Sequence, residues 1–343
     1  MSRADAVAVV LWAGVTLYAV FGGADFGAGL WALVAGGGER GRRQRALVDW
    51  AIGPVWEANH VWLIFVLVVL WTAFSGAFAS IFATLFIPLS LAAFGIVLRG
   101  AGFAFHGVAA RAGGRRLAQA LFGTSSVLTP FFLGTVVGAI ASGRVRADGA
   151  GDTVTSWLNP LSLLVGALFV ATGAYLAAVF LISDARRLGD VELEHDFRVR
   201  ALVGALAAGA LALAGIFVLR DDARYVYDRL TAEGIPLVVL SAVCGLAALA
   251  LIARGARRGT RELAVGAVVA VIWGWGVAQF PYLLPEQLTI SEGAAPDPTL
   301  TSVLVVFGFA VVLVLPALGL LYSLMQRSML EGEYERPGPA PGG

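Results

Sequence analysis

The 343-residue sequence contains no lysine, one cysteine, three histidines and three methionines, and only 14% of it is charged. Each scarcity excludes something. Soluble domains carry about a quarter charged residues, so a chain that is 59% hydrophobic reads instead as a polytopic membrane protein. The single Cys244 lies in an apolar run and rules out an intrachain disulfide framework. All 24 basic residues are arginine, a bias that genome composition explains as well as function does. A net charge of +1 leaves no concentrated basic face, so no nucleic-acid partner is expected. The sequence also lacks CxxC, CxxCH, HExxH and GxxxxGK, so no metal centre or phosphate loop of its own is expected, and His60 as a lone haem ligand is a minor alternative to a relay or hydrogen-bonding histidine. His60 is the one histidine inside an apolar run. His106 and His195 fall in connections and read as surface residues.

What is present is a succession of long apolar segments. A spanning helix needs about 20 mostly apolar residues, and nine segments qualify: 6–33, 52–72, 77–98, 117–141, 160–182, 201–219, 236–253, 263–283 and 300–325. The predicted fold is therefore all-α, one transmembrane domain over 1–330, with residues 331–343 a disordered tail ending RPGPAPGG. Residues 6–35 are apolar for too long to resemble a cleavable signal, so the first helix is read as its own insertion signal. Eighteen arginines sit on alternate connections (36–50, 99–116, 183–200, 254–262 and the tail), and six on the others. Basic residues favour the cytoplasmic side. The expected orientation is N-terminus outside and C-terminus inside.

Ionisable groups inside such spans are costly and mark bundle interiors, pairs or ion and proton routes. The stretch GPVWEANHVWLIFVLVVLW (53–71) holds Glu57 and His60 at i,i+3, on one helix face, with Trp56, Asn59 and Trp62 close by. At ~1.5 Å per residue, Glu57 lies about 7–8 Å and His60 about 12 Å from the cytoplasmic start of its span. Asp25 is deep in the first span and Arg99 ends the third, so Asp25, Glu57, His60 and Arg99 can converge in the inner half of the bilayer. That is the layout of a proton entry route, with His60 suited to relay by its near-neutral pKa. A plainer reading keeps Asp25 and Arg99 as an ion pair locking two helices, Arg99 as an interfacial anchor, or Glu57 as a hydrogen-bonded core group. The glycines of FGGADFGAG (21–29) suit close helix approach or a bend.

Four motifs in order, ADFGAG, GPVWEANHVWL, LRGAGFAFHG and QFPYLLPEQLTI, together with the length and number of spans, resemble subunit II of the cytochrome bd quinol oxidases over essentially the whole chain. The resemblance implies two four-helix bundles plus one peripheral helix in a multi-pass protein of the prokaryotic plasma membrane. It implies a non-haem subunit, with two haems b and one haem d in a partner subunit I. The complex would oxidise quinol and reduce dioxygen, drawing protons from the cytoplasm. It further implies that the acid at Glu57 belongs to a proton path and that a structural quinone is bound in some members; whether a small accessory subunit joins stays open. The sequence departs from the family pattern at His60, usually Gln or Glu, and after the third span, where Ala104 replaces an acid and His106 an arginine. His60 would then compensate for the acid missing at Ala104, or the route would be inactive. Two other classes remain at this stage: a proton-coupled membrane transporter, which the same titratable groups would serve, and a structural scaffold, which would leave Glu57 unexplained.

Overall fold

The computed structural model describes residues 1–53, 56–108 and 112–326. Their backbone is helical apart from turns and one short hairpin, as hydrocarbon demands of segments whose peptide groups have no water to bond. The first span is α1 (Arg3–Leu17), a single π turn (Tyr18–Gly22) and α2 (Gly23–Leu33). An amphipathic helix α3 (Gly38–Ile52) precedes α4 (Trp56–Ala73), α5 (Ser75–Thr84), α6 (Phe86–Val108) and α7 (Ala112–Ala141). The second half comprises α8 (Pro160–Arg187), α9 (Val191–Asp222), the short α10 (Arg224–Leu230), α11 (Ile235–Ala253) and α12 (Thr260–Gln279). It closes with a hairpin of β1 (Tyr282–Leu284) and β2 (Leu288–Thr289), then α13 (Ile290–Gly293) and α14 (Asp297–Gln326).

Among the described residues the nine predicted segments fall mainly on helix. Among the described residues seven helices are long and apolar enough to cross, and eight if the pair α4–α5, bent by 116°, is one span. The third predicted span is divided at Leu85 between α5 and α6. Three segments read as loops are largely helical, among them 99–116, where α6 runs to Val108 and α7 starts at Ala112. Residues 36–50 are mostly α3, whose Leu47, Val48 and Ile52 reach the core while Arg40 and Arg42 are exposed. In the 183–200 connection, α8 runs to Arg187 and α9 starts at Val191, capped by Asp190 accepting from the Leu193 N–H at 3.0 Å. The eighth span is shorter than expected, since α12 ends at Gln279 before a cis Phe280–Pro281 peptide and the hairpin. The expected tail at 331–343 lies outside the described residues.

Helix α8 is central. It packs along α2, α7 and α9, and its buried run Tyr175–Val179, Leu181 and Ile182 anchors the largest apolar cluster. Helices α6 and α7 pair, as do α11 and α12, and α14 packs mainly against α1 and α4. Lipid gives little hydrophobic drive between helices, so contact depends on small residues that let backbones approach. A Cβ on Gly27 would overlap the Gly173 carbonyl of α8, and Cβ atoms on Gly134 and Gly138 of α7 would crowd α8 at Gly166 and Ser162. The glycines of the first span thus serve helix approach, as their spacing suggested.

Contacts between connections fall into two sets, as the predicted topology requires. On one face Arg3 pairs with Asp297, the Ala295 N–H bonds the Ala73 carbonyl at 2.8 Å, Arg144 meets Asp222 at 3.3 Å, and the Tyr225 hydroxyl donates to the Phe280 carbonyl. On the other, α3 is clamped to the start of α9 by Arg40–Asp196 and by Arg43 on Asp190 and Glu192, while Arg186 meets Glu194. The arginine bias assigns this second face to the cytoplasm.

Candidate functional site

Asp25 and Arg99 meet inside the protein. Asp25 rides on α2 just after the π turn, a feature that adds one residue to a helix and recurs at functional sites. Arg99 comes from α6, and its side chain is 0% exposed against 1% for Asp25. The guanidinium donates to Asp25 Oδ1 at 2.6 Å and to the Asp25 carbonyl at 3.1 Å. Its other terminal nitrogen donates to Ser126 Oγ of α7 at 2.6 Å, and that hydroxyl donates in turn to the Phe122 carbonyl at 2.6 Å. The Phe122 and Phe26 rings lie 4.3 and 4.8 Å from the guanidinium carbon, a cation–π sandwich that replaces part of the lost hydration. The reading of Arg99 as an interfacial anchor is overturned: it does not reach for the surface.

His60 joins this cluster from α4. Its ring lies edge-on to Phe26 at 5.9 Å and to Tyr18 at 6.5 Å, within electrostatic range of Asp25. Asn59 beside it is buried, and Trp62 one turn on packs edge-on to Phe65 at 6.4 Å. Three of the four predicted polar residues, Asp25, Arg99 and His60, therefore lie together around α2. The side chains of Trp56 and Glu57 lie outside the described residues, as do those at Ala104 and His106, so the structure does not test the two departures of the third-span motif. His195 is exposed, as expected of a surface residue.

Sequence reasoning missed Ser126 and Tyr18. Ser126 sits in the Ser125–Ser126 pair of an otherwise apolar stretch, and Tyr18 lies seven residues before Asp25 with its buried hydroxyl unpartnered. Within the pair itself, Asp25 commits one oxygen to Arg99 and leaves Oδ2 buried without a hydrogen bond, and Arg99 leaves Nε likewise. A buried carboxylate with a vacant lone pair is a place where a proton or a water is stabilised.

The one imidazole in a span is enclosed by the Tyr18 and Phe26 rings, and among the described residues no three His, Cys, Asp or Glu side chains gather as a metal would need.

Comparison with known proteins bears out the family resemblance. The chain is 27% identical to a cytochrome bd ubiquinol oxidase subunit 2 of Bacillus subtilis over 282 residues, 82% of this chain and 80% of the relative. A putative cytochrome bd menaquinol oxidase subunit II of the same organism is 20% identical, covering 93% of this chain and 94% of its own length. The cytochrome bd-I ubiquinol oxidase subunit 2 of Escherichia coli K12 is 27% identical over 61% of this chain and 55% of its own. In fold, the chain is similar to one in the solved bd oxidase of Geobacillus thermodenitrificans, with a TM-score of 0.74 at 23% identity, over 97% of this chain and all of that one. Residues 4–325 match the family model of the cytochrome bd terminal oxidase subunit II, and the chain belongs to that family.

Proposed function

We propose that this chain is the non-haem subunit of a bd-type quinol:dioxygen oxidoreductase, docked on a haem-bearing subunit I in the prokaryotic plasma membrane. It would be catalytic only within that complex. Family membership implies haem in the complex, and the donor set here argues for placing it in the partner. Quinol and dioxygen would be substrates of the assembly.

We infer a second role for the cluster at α2: part of a proton path from the cytoplasm. The observation that carries it is the buried Asp25 carboxylate with one uncommitted oxygen, next to His60, in the half of the span nearest the arginine-rich face. Glu57, one turn before His60 on α4, would extend the series toward that face. A relay through low dielectric needs titratable groups or waters close enough to bond in series. His60 supplies such a group where the acid at Ala104 is missing.

The test uses the purified two-subunit complex and the isolated chain. The complex should carry haem absorbance and quinol oxidase activity, and this chain alone should hold no stoichiometric haem. Within the complex, Glu57→Gln and His60→Gln should lower turnover severalfold while haem content stays near wild type, and Ala104→Asp should restore the His60→Gln rate. A b-type spectrum in the isolated chain, lost on His60→Ala, would sink the non-haem assignment. Unchanged turnover of both Gln variants across pH 6–9 would remove the proton path and leave the assignment standing.

A further inference from the structure

The end of the second half that carries the arginines holds a cavity that the oxidase reading does not use. Its volume is about 360 Å³, and it lies where α8, α9, α11 and α12 come to their ends. Five arginines line it, Arg186, Arg198, Arg257, Arg258 and Arg261, against a single acid, Glu262. The positive-inside bias accounts for the side of the membrane but not for five guanidinium groups around one cavity.

Their partners show how much charge stays uncompensated. Arg186 is held by Glu194 at 2.8 Å, and Arg261 by Asp184 at 3.3 Å. Among the described residues Arg198 donates to the carbonyls of Ile252 and Ala253, at the C-terminus of α11, and to no carboxylate. Arg257 and Arg258, exposed at the rim, have no carboxylate partner among the described residues. Two further features point to an anion. Helix α12 begins here behind Gly259, whose φ of +85° and missing side chain leave the first N–H groups without a side-chain cap. Thr260 Oγ1, at the start of that helix and in the cavity wall, is buried without a hydrogen-bond partner. The floor is apolar, built by the buried Val179, Ile182 and Ile252, and a low-dielectric floor strengthens the field of the rim.

We propose that this cavity is a phosphate-anion site, occupied by the headgroup of an anionic phospholipid. Guanidinium groups, a helix N-terminus and a hydroxyl are the donor set that a phosphate diester accepts. The cavity lies at the ends of four helices on the arginine-rich face, and basic pockets between spans on the cytoplasmic side suit such headgroups. About two turns along the same helices, Val203 and Leu206 of α9 and Val243 and Leu246 of α11 are exposed, an apolar track for acyl chains.

The test is native mass spectrometry of the purified two-subunit complex in detergent, titrated with dioleoyl phosphatidylglycerol, dioleoyl phosphatidylcholine or inorganic phosphate. It is repeated on Arg257→Gln/Arg258→Gln and on Thr260→Val, with haem content and turnover as controls for folding. Phosphatidylglycerol should bind the wild type more tightly than phosphatidylcholine. The double variant should weaken it roughly 30-fold, the effect of two charges near an anionic surface, and Thr260→Val should weaken it severalfold. Competition by millimolar phosphate alone would keep the anion site and overturn the lipid as its occupant. Equal binding of the two lipids, or binding indifferent to both variants in complexes with normal haem content, would overturn the site itself.

Discussion

Arg99 is the largest side chain fully buried among the described residues, and its environment says how a guanidinium survives there. Asp25, the Ser126 hydroxyl and two phenyl rings stand in for water. Removing one partner of such a pair strands the other charge and typically costs ~3–5 kcal/mol, whereas replacing both by apolar groups of similar volume is often neutral. Asp25→Asn should therefore lower the yield and thermal midpoint of the assembled complex, and Asp25→Leu with Arg99→Met should restore both. Turnover of the restored double variant then separates locking from relay. If Asp25 carries protons, the well-assembled double variant stays slow; at wild-type speed, the pair is only a lock between α2 and α6. The meeting of Asp25, Arg99 and His60 was legible in the sequence because apolar segments and arginine counts fix depth, and charges at one depth must find each other. Ser126 was not. A serine in a span satisfies itself on the carbonyl four residues back, as this one does on Phe122, so nothing in the sequence marks it as an acceptor for arginine.

Among the elements, the first span shows most clearly what glycine contributes. Gly27→Ala would drive a methyl into the backbone of Gly173, which cannot swing aside, so overpacking of about 1–3 kcal/mol is expected. Gly209, mid-way along α9, has open space around its Cα, and alanine there should be neutral or stabilising by about 0.5–1 kcal/mol through helix propensity. Thermal unfolding of the two variants, followed by tryptophan fluorescence, checks the contrast; equal midpoints would mean that α2 and α8 can part at Gly27 without loss of stability. Element types were largely legible and their edges were not. Four arginines in 36–50 outweighed the short stripe of Leu47, Val48 and Ile52, so a helix read as a loop. The break at Leu85 and the π turn at Tyr18–Gly22 leave no mark on an apolar run, because hydropathy carries no information about helical register.

For the molecule as a whole, the two faces are held by different means. The arginine-rich face is tied electrostatically: Arg43, on α3, reaches both Asp190, the residue that caps α9, and Glu192, and Gln44 bridges Asp196 and Arg200. Arg43→Gln should loosen α3 by on the order of 1 kcal/mol and speed tryptic cleavage within 39–45 on inside-out vesicles. Turnover should stay near wild type. Cleavage at the wild-type rate would show that the apolar side of α3 suffices to hold it.

The opposite face is closed by segments far apart in the chain. The Ala73 carbonyl, where α4 turns sharply into α5, is bonded by the Ala295 N–H, and Ala4, Val7 and Leu11 share a cluster with Ile290 and Leu300. That corner has an implication for biosynthesis. A ribosome that has already inserted the first two helical segments must still deliver some two hundred residues before the group that seals them emerges. Through that interval the nascent N-terminal half carries an open corner, a target for membrane proteases and chaperones. Chains interrupted anywhere before the hairpin at Tyr282–Thr289 should share one fate, degradation, however many of their helices have been inserted.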